Sequence, residues 1–294
     1  MNHLFASGRF AHIPMLELVP LVGLPLFWIA AFFLFAFKCA IWGMPRTERI
    51  DRIAKSPYLP RIFMEFGYWM FTLPISICVK LGITANAVTV GSMLLTIAAA
   101  FAYGNGAFAL GGWTLFFAFT CDAWDGIIAR KTNTSSPSGE YFDSTIDRYN
   151  DLIGFLGFMY YYRNDPFPLF WVAAAMVGST LVSYTRAKGE AVGIDPNVGY
   201  MQRHERAVYL GLSSVFAPFV AAFVEPNVEH PRYHLVVGTM ALMAVLTNIT
   251  AIWRARVVLR GLKARATGAS VPPVVTAIDE PDEDDLELSR EGAQ

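Results

Sequence analysis

The sequence predicts an all-α integral membrane protein: a bundle of six transmembrane helices, preceded by a juxtamembrane interfacial helix and by one extra N-terminal transmembrane helix. Hydrophobic residues make up 54% of the 294 residues and charged residues only 16%, against about 25% in an ordinary soluble domain. Several uncharged stretches reach the roughly 17–25 residues that a helix needs to cross a bilayer. Lysine and arginine concentrate in alternate connections between these stretches, as in membrane proteins with a fixed orientation.

Four uncharged stretches each predict one membrane-spanning helix, at residues 19–37, 166–185, 207–224 and 235–253. The uncharged run 81–121 is broken by YGNG at 103–106, so it predicts two helices joined by a tight turn. A seventh helix is expected over 139–162, although its acidic first third lowers its hydropathy. Residues 62–80, interrupted by Glu65 and Pro74, predict an amphipathic helix that lies flat on the cytosolic leaflet.

The charge distribution divides the chain into four regions. These are an N-terminal segment with the extra anchor (1–43), a cytosolic linker with the interfacial helix (44–82), a six-helix core (83–256), and a basic, then acidic, disordered cytosolic tail (257–294). The connections 44–61, 130–139 and 186–206 and the segment after 253 carry most of the Lys and Arg. The positive-inside rule therefore predicts that these connections face the cytosol.

Composition also excludes several kinds of function. The net charge of -1, with basic residues followed by an acidic run, gives no sign of a nucleic-acid partner. The three cysteines are odd in number and lie in apolar surroundings, which argues against a disulfide framework. The five histidines lack the spacing of a zinc site.

Four aspartates form the most informative pattern, within DAWDGIIARKTNTSSPSGEYFDSTIDR at 122–148. Asp122 and Asp125 are three residues apart and Asp143 and Asp147 are four apart, so each pair shares one face of its helix. The first pair ends one predicted helix and the second pair begins the next, from the same side of the membrane. Four anions near the hydrocarbon repel one another and require cations. Two Mg²⁺ or Mn²⁺ ions held by carboxylates would meet this need and suit in-line phosphoryl displacement.

The pattern D-x-x-D-G-x-x-A-R, eight residues, and then G-x-x-x-D-x-x-x-D resembles the signature of the CDP-alcohol phosphotransferases, membrane enzymes that make phospholipids. The resemblance covers residues from about 60 to 256, and the signature's fixed positions are present as Asp122, Asp125, Gly126, Ala129, Arg130, Gly139, Asp143 and Asp147. It implies a six-helix membrane fold after a juxtamembrane helix. It also implies that the aspartates hold two metal ions and that Asp147 is the base that deprotonates the acceptor hydroxyl.

The resemblance further implies CDP-diacylglycerol as the donor and CMP as a product. The residues expected to bind the CDP-lipid are Asn86, Thr89, Gly126, Ala129, Arg130, Ser136 and Gly139. The first two belong to GITANAVT, which is similar to the family's T-P-N-x-x-T but has Ala85 in place of the proline. The expected location is a bacterial inner membrane, with the active site facing the cytoplasm, and a homodimer is left open.

SYTRAKGE at 183–190 and QRHER at 202–206 resemble the basic stretches that bind inositol phosphate in bacterial phosphatidylinositol-phosphate synthases of this family. The acceptor-binding residues expected from them are Arg186, Lys188, Arg203 and Arg206. Arg203 and Arg206 share a helical face, whereas Arg186 and Lys188 diverge. The positive-inside rule alone also predicts basic residues here, and Arg206 could instead pair with a neighbouring glutamate.

Several functions therefore stay open at this stage. The acceptor favoured by the basic stretches is inositol phosphate, with glycerol 3-phosphate as the alternative and an unphosphorylated alcohol, such as inositol or serine, as a third. An ion or proton transporter would explain membrane carboxylates in another way, but the sequence has no visible inverted repeat. An inactive scaffold would be favoured by a missing aspartate, and all four are present.

Overall fold

The computed structural model describes residues 15–44, 61–226 and 228–267, and all regular structure within them is helical. Helix α1 (Met15–Leu18) continues through a π-helical turn (Val19–Gly23) into α2 (Leu24–Trp42). The other helices are α3 (Arg61–Lys80), α4 (Ala85–Gly104), α5 (Phe108–Lys131), α6 (Pro137–Tyr161), α7 (Pro166–Ala191), α8 (Arg203–Val224) and α9 (His234–Ala266).

The helices correspond closely to the sequence prediction. The run 81–121 does form two helices, since α4 ends at Gly104 and α5 begins at Phe108. In the part of the chain that the structure describes, five helical segments are long and apolar enough to cross a membrane: Val19–Trp42, Ala85–Gly104, Pro166–Ala191, Glu205–Val224 and His234–Ala266. Helices α5 and α6 fall outside this group, because charged residues occupy the end of the first and the beginning of the second.

The end of the core differs from the prediction. Helix α9 continues to Ala266, whereas the disordered tail was predicted to begin at residue 257. The extension is held in place because the guanidinium of Arg265 donates to the carbonyl oxygen of Val192 at 2.9 Å and to that of Gly193. The predicted tail from residue 268 onward and the predicted linker from 45 to 60 lie outside the described residues.

Small residues allow the core helices to pack closely. A Cβ atom added to Gly157 of α6 would lie 2.6 Å from the Cα of Ala100 in α4. A Cβ on Gly112 of α5 would similarly lie 2.9 Å from the carbonyl oxygen of Gly211 in α8. Neither distance can accommodate a side chain, so glycine is required for these backbones to approach. These crossings fix the rotation of the helices that carry the aspartates.

An aromatic core holds the opposite ends of the same helices together. The rings of Tyr103 and Phe158 stack with centroids 3.9 Å apart, and those of Phe108 and Tyr233 are 4.1 Å apart. All four residues are less than a tenth exposed. The bundle therefore has one end packed by aromatic rings, at which α4 ends and α5 begins, and an opposite end that carries the four aspartates.

The N-terminal segment packs against the first half of α5. The carboxylate of Glu17, which is 3% exposed, accepts a hydrogen bond from the backbone N–H of Ala109 at 2.6 Å. The indole N–H of Trp113 donates to the carbonyl oxygen of Pro20 at 2.9 Å. Burial raises the pKa of Glu17 to about 7. The predicted extra helix is thus attached to the helix that carries Asp122 at its other end.

Candidate active site

Helices α5 and α6 bring three of the four aspartates together. Carboxylate oxygens of Asp122, Asp143 and Asp147 lie within 4.8 Å of one another. Ser136 caps α6 by accepting a hydrogen bond from the N–H of Gly139 at 3.2 Å, with proline next in the first turn. This start places the two α6 aspartates in the second and third turns of the helix, opposite Asp122 in the second half of α5.

The chemistry of this group fits a divalent metal ion. One oxygen each of Asp122, Asp143 and Asp147 is buried and accepts no hydrogen bond. A buried carboxylate oxygen without a partner is costly, so such atoms are uncommon in folded proteins. Hard divalent cations prefer oxygen ligands, and an ion bound to these atoms would remove the cost. Asp122, Asp143 and Asp147 are hereafter called the aspartate group.

Asp125 lies beside this group and is held by a different interaction. It is 5% exposed, and its Oδ2 accepts a hydrogen bond from the hydroxyl of Thr89 in α4 at 2.7 Å. Behind Thr89, the amide of Asn150 donates to the hydroxyl of Ser92 at 3.1 Å, and Ser92 donates to the carbonyl oxygen of Thr89 at 2.7 Å. The Thr89 hydroxyl thus orients the Asp125 carboxylate, and the bonds of Asn150 and Ser92 link α6 to the backbone of α4 behind it.

A cleft of about 610 Å³, called the donor cleft, opens between α4, α5 and α6. All seven residues predicted to bind the CDP-lipid line it: Asn86, Thr89, Gly126, Ala129, Arg130, Ser136 and Gly139. Asp125 and Asp143 form one side of this cleft. A Cβ on Gly126 would lie 3.4 Å from Nη1 of Arg130, so the glycine leaves space for the guanidinium. Because the Thr89 side chain is buried, it affects the cleft mainly through its hydrogen bond to Asp125.

A second cleft of about 420 Å³, called the acceptor cleft, lies on the other side of α6. Three of the four residues predicted for the acceptor, Arg186, Arg203 and Arg206, line it together with Asp147. The fourth, Lys188, is exposed and lies outside the lining, because it is two residues from Arg186 and points away. The first turns of α6 therefore separate the two clefts, and the aspartate group lies where they meet.

Arg203 connects the acceptor cleft to the aspartate group. Its Nη1 lies 2.7 Å from Oδ2 of Asp122 and donates a hydrogen bond to it. Its Nη2 lies 2.7 Å from Oδ1 of Asp147 but is not aligned as a hydrogen bond. The guanidinium also lies over the ring of Phe119, at 5.4 Å from the centroid. One cation therefore neutralises part of the negative charge of the carboxylates.

Asp151, which the sequence interpretation did not include, holds both arginines of α8. Its Oδ2 is 3.1 Å from Nη2 of Arg206, and its Oδ1 is 3.5 Å from Nε of Arg203. The alternative in which Arg206 pairs with Glu205 or Glu190 is wrong. Glu205 caps α8 by accepting from the N–H of Gln202, and Glu190 pairs with Arg186 at 2.8 Å.

Arg254 and Ser183 are two further cleft residues that the sequence did not reveal. The guanidinium of Arg254 donates to the carbonyl oxygens of Val198 at 2.8 Å and of Val182 at 3.0 Å, and the residue is 3% exposed. In the sequence it is the first of several arginines after an apolar span, so it resembled an ordinary cytosolic charge. Only the packing of α9 against α7 shows that it lies inside the bundle.

Comparisons with known proteins agree with this geometry. The family model for CDP-alcohol phosphatidyltransferases matches residues 82–259, which is more than half of the chain. A phosphatidylinositol phosphate synthase of Cutibacterium acnes is 31% identical over 128 residues, covering 42% of this chain and 62% of that protein. An archaetidylinositol phosphate synthase of Pyrococcus horikoshii is 33% identical over 140 residues, covering 47% of this chain and 72% of that protein.

The fold is also similar to a solved structure. A crystal structure of Mycobacterium tuberculosis phosphatidylinositol phosphate synthase with CDP-DAG bound superposes with a TM-score of 0.56 at 25% identity. The match covers 64% of this chain and 92% of that one. The region that the family model matches, residues 82–259, contains the aspartate group and the residues that line both clefts. On these grounds, the chain belongs to the CDP-alcohol phosphatidyltransferase family.

Proposed function

We propose that this protein transfers the phosphatidyl group of CDP-diacylglycerol to a phosphorylated polyol, inositol phosphate, and releases CMP. Membership of the family supports the reaction class. The names of the bacterial and archaeal relatives both specify a lipid product with an inositol phosphate headgroup. The relative of known structure has CDP-DAG bound. The donor cleft provides a site of about 610 Å³ for the nucleotide end of such a lipid.

The observation that carries the acceptor assignment is the charge of the acceptor cleft. Five arginines line it against three acids: Arg148, Arg186, Arg203, Arg206 and Arg254 against Glu140, Asp147 and Glu190. A phosphate monoester brings up to two negative charges close to the aspartate group and needs a cationic surface, which guanidinium groups supply through paired hydrogen bonds. A neutral alcohol requires no such surface. Arg203 and Arg206 also contact Asp122 and Asp151 outside this lining, but the guanidinium groups that face the cleft favour a phosphorylated acceptor.

The side chains divide the reaction between the two clefts. We propose that Arg130, Ser136 and Asn86 contact the diphosphate and nucleotide of the donor. Asp147, at the boundary, accepts the proton of the acceptor hydroxyl. That hydroxyl oxygen then forms a bond to the phosphorus that carries diacylglycerol, the bond from this phosphorus to the CMP oxygen breaks, and CMP leaves.

The aspartate group and Asp125 are proposed to hold two divalent ions, Mg²⁺ or Mn²⁺. When bound, such ions neutralise the charge that the diphosphate develops as CMP departs. The three buried oxygens of the aspartate group that accept no hydrogen bond support this assignment. Asp125 faces the donor cleft and the aspartate group faces the boundary, so the four carboxylates suit two neighbouring ions better than one.

We further propose that α4 to α9 form the six-helix membrane bundle, that α2 is the extra anchor, and that α3 lies at the membrane surface. Helices α5 and α6 are included because their charged residues are confined to one end, where the cost of a charge in the bilayer is smallest. The positive-inside rule places that end in the cytosol of a bacterial inner membrane. Both substrates would then reach the site from the cytoplasmic side.

The proposal is tested by product identification. Purified protein is incubated with CDP-diacylglycerol and Mg²⁺ plus inositol phosphate, glycerol 3-phosphate or inositol, and the lipid products are identified by mass spectrometry. We expect phosphatidylinositol phosphate, with kcat/KM for inositol phosphate at least about tenfold above that of the other acceptors, a difference of about 1.4 kcal/mol. Preferred use of inositol or glycerol 3-phosphate would contradict the acceptor assignment, and no CMP release with any acceptor would contradict the enzyme function.

Two substitutions test the assignments of individual residues. Asp147→Asn should reduce kcat by orders of magnitude while CDP-diacylglycerol still binds, because the base is lost but the donor cleft is intact. Arg186→Gln should raise the KM for inositol phosphate and leave the KM for CDP-diacylglycerol unchanged. Arg163→Gln, at the opposite end of α6, is the matched control and should change neither. Loss of donor binding in Asp147→Asn would contradict its role as the base.

A further inference from the structure

We propose that Asp151 is a positioning residue that aligns Arg203 and Arg206 for the phosphate of the acceptor, an inference that rests on the proposed function. Asp151 is four residues beyond Asp147 on the same face of α6 and lies outside the family signature. Its side chain is 10% exposed, and each of its two oxygens faces a different arginine of α8. One carboxylate thus sets the relative position of two guanidinium groups.

Arg206 is held rigidly by these contacts. The residue is 5% exposed, its Nη2 lies 3.1 Å from Oδ2 of Asp151, and its Nη1 donates to the carbonyl oxygen of Met201 at 3.2 Å. Both terminal nitrogens therefore have fixed partners, yet the side chain still lines the acceptor cleft. The orientation of Arg206 toward the cleft depends on Asp151, because Met201 constrains only one of its nitrogens.

Arg203 is held differently. Its two Nη atoms contact Asp122 and Asp147, each at 2.7 Å, whereas its Nε faces Asp151 at 3.5 Å. Its side chain is 24% exposed, four times the 6% of Arg206. Asp151 therefore holds the inner edge of this guanidinium, while the outer nitrogens are shared with the carboxylates at the boundary between the clefts. An acceptor phosphate can hydrogen-bond to those outer nitrogens while Nε keeps its contact with Asp151.

The alternative role for Asp151 is purely electrostatic, and the two roles predict opposite effects. If Asp151 only reduced the positive charge of the cleft, its neutralisation would strengthen phosphate binding and lower the acceptor KM. If it aligns the arginines, its neutralisation weakens its contacts with both guanidinium groups, shifts their relative position and raises the acceptor KM, because bidentate recognition depends on geometry. The sign of the change therefore distinguishes positioning from charge balance.

The experiment uses the full-length protein with CDP-diacylglycerol, Mg²⁺ and inositol phosphate. Asp151→Asn keeps the shape of the side chain and removes its charge, and we expect the acceptor KM to rise about tenfold, or about 1.4 kcal/mol. The KM for CDP-diacylglycerol should stay within about twofold of wild type. The matched control is Asp165→Asn, which removes an ion pair to Arg232 of 2.6 Å at the other end of the bundle and should alter neither constant.

Asp151→Glu keeps the charge but displaces the carboxylate by one methylene, so its acceptor KM should lie between those of wild type and Asp151→Asn. If Asp151→Asn does not fold, the acceptor KM of Asp151→Glu tests the inference instead. Adding Asp151→Asn to a protein that already has Arg203→Gln and Arg206→Gln should change the acceptor KM by less than about twofold, since a residue acting through others has no effect once they are gone.

An acceptor KM that falls, or that stays within about twofold of wild type in every folded Asp151 variant, would overturn the inference. So would a reduction in kcat alone. Wild-type protein assayed in parallel separates this failure from failure of the proposed function: if wild type makes no lipid from inositol phosphate, the proposed function is at fault, whereas a normal wild type with unaffected Asp151 variants contradicts only the positioning role.

Discussion

The hydrogen bond between Thr89 and Asp125 gives a sharp test of the proposed metal site. Replacing Thr89 with valine removes the hydroxyl and keeps the shape of the side chain. Thr89 is 2% exposed and Asp125 is 5% exposed, so water cannot easily take the place of the lost donor. The distance of 2.7 Å is typical of a strong hydrogen bond to a charged acceptor.

The expected magnitude follows from these contacts. A hydrogen bond to a charged group contributes about 1.5–3 kcal/mol. At about 1.4 kcal/mol per factor of ten, Thr89→Val should reduce kcat/KM for CMP release by about 10- to 100-fold. If Asp125 binds a metal ion, Thr89→Val should mainly weaken the binding of that ion, because a residue that hydrogen-bonds to a metal-binding carboxylate strengthens its affinity for the metal. Most of the loss of activity should then disappear at high Mg²⁺.

The assay measures kcat/KM for CDP-diacylglycerol, followed by CMP release, at a series of Mg²⁺ concentrations. Thr96→Val is the matched control, because Thr96 lies in the same helix, is 1% exposed, and donates only to the carbonyl oxygen of Ser92 at 3.0 Å. Thr89→Ser should retain most activity because it keeps the donor. If Thr89→Val is folded and stays within about threefold of wild type, or if Thr96→Val is equally impaired, the role assigned to this hydrogen bond is wrong.

Three other outcomes are expected. Chelation by EDTA should abolish CMP release, and either Mg²⁺ or Mn²⁺ should restore it; activity that survives chelation contradicts the metal site. Gly157→Ala should destabilise the protein by about 1–3 kcal/mol in a thermal unfolding assay, because its Cβ would overlap Ala100, whereas Gly91→Ala, with nothing within 4 Å, should be neutral or stabilising. In a cysteine-free background on intact cells, an impermeant thiol reagent should label Asn105→Cys and not Thr134→Cys; the reverse would refute the proposed orientation.

The helical architecture could be predicted from the sequence because its signals are local. The turn at 103–106 separated α4 from α5, and the alternation of basic and uncharged segments indicated where the other helices end. The boundary at the end of α9 could not be found in this way. Its last turns are held by Arg265 and the carbonyl oxygen of Val192, which are 73 residues apart in the chain.

The donor cleft was likewise accessible from the sequence, and the acceptor cleft only in part. The residues predicted to bind the donor occur at fixed spacing on three consecutive helices and their caps, so linear motifs identify them. The acceptor cleft is built from α6, α7, α8 and α9, and the positive-inside rule alone predicts basic residues at these positions. Composition cannot separate Arg254, which is buried, from Lys188, which is exposed.

The sequence by itself determined that this is a helical membrane protein with a family signature, because hydrophobic length, turn residues and motif spacing depend only on neighbouring positions. The tertiary structure alone decided which side chains meet across helices. Thr89 reaches Asp125, and Asp151 reaches two arginines of α8, because the helices are rotated and brought close by glycine contacts such as that of Gly157 with Ala100. Rotation of one helix against another depends on packing over the whole bundle, so no stretch of sequence encodes it locally.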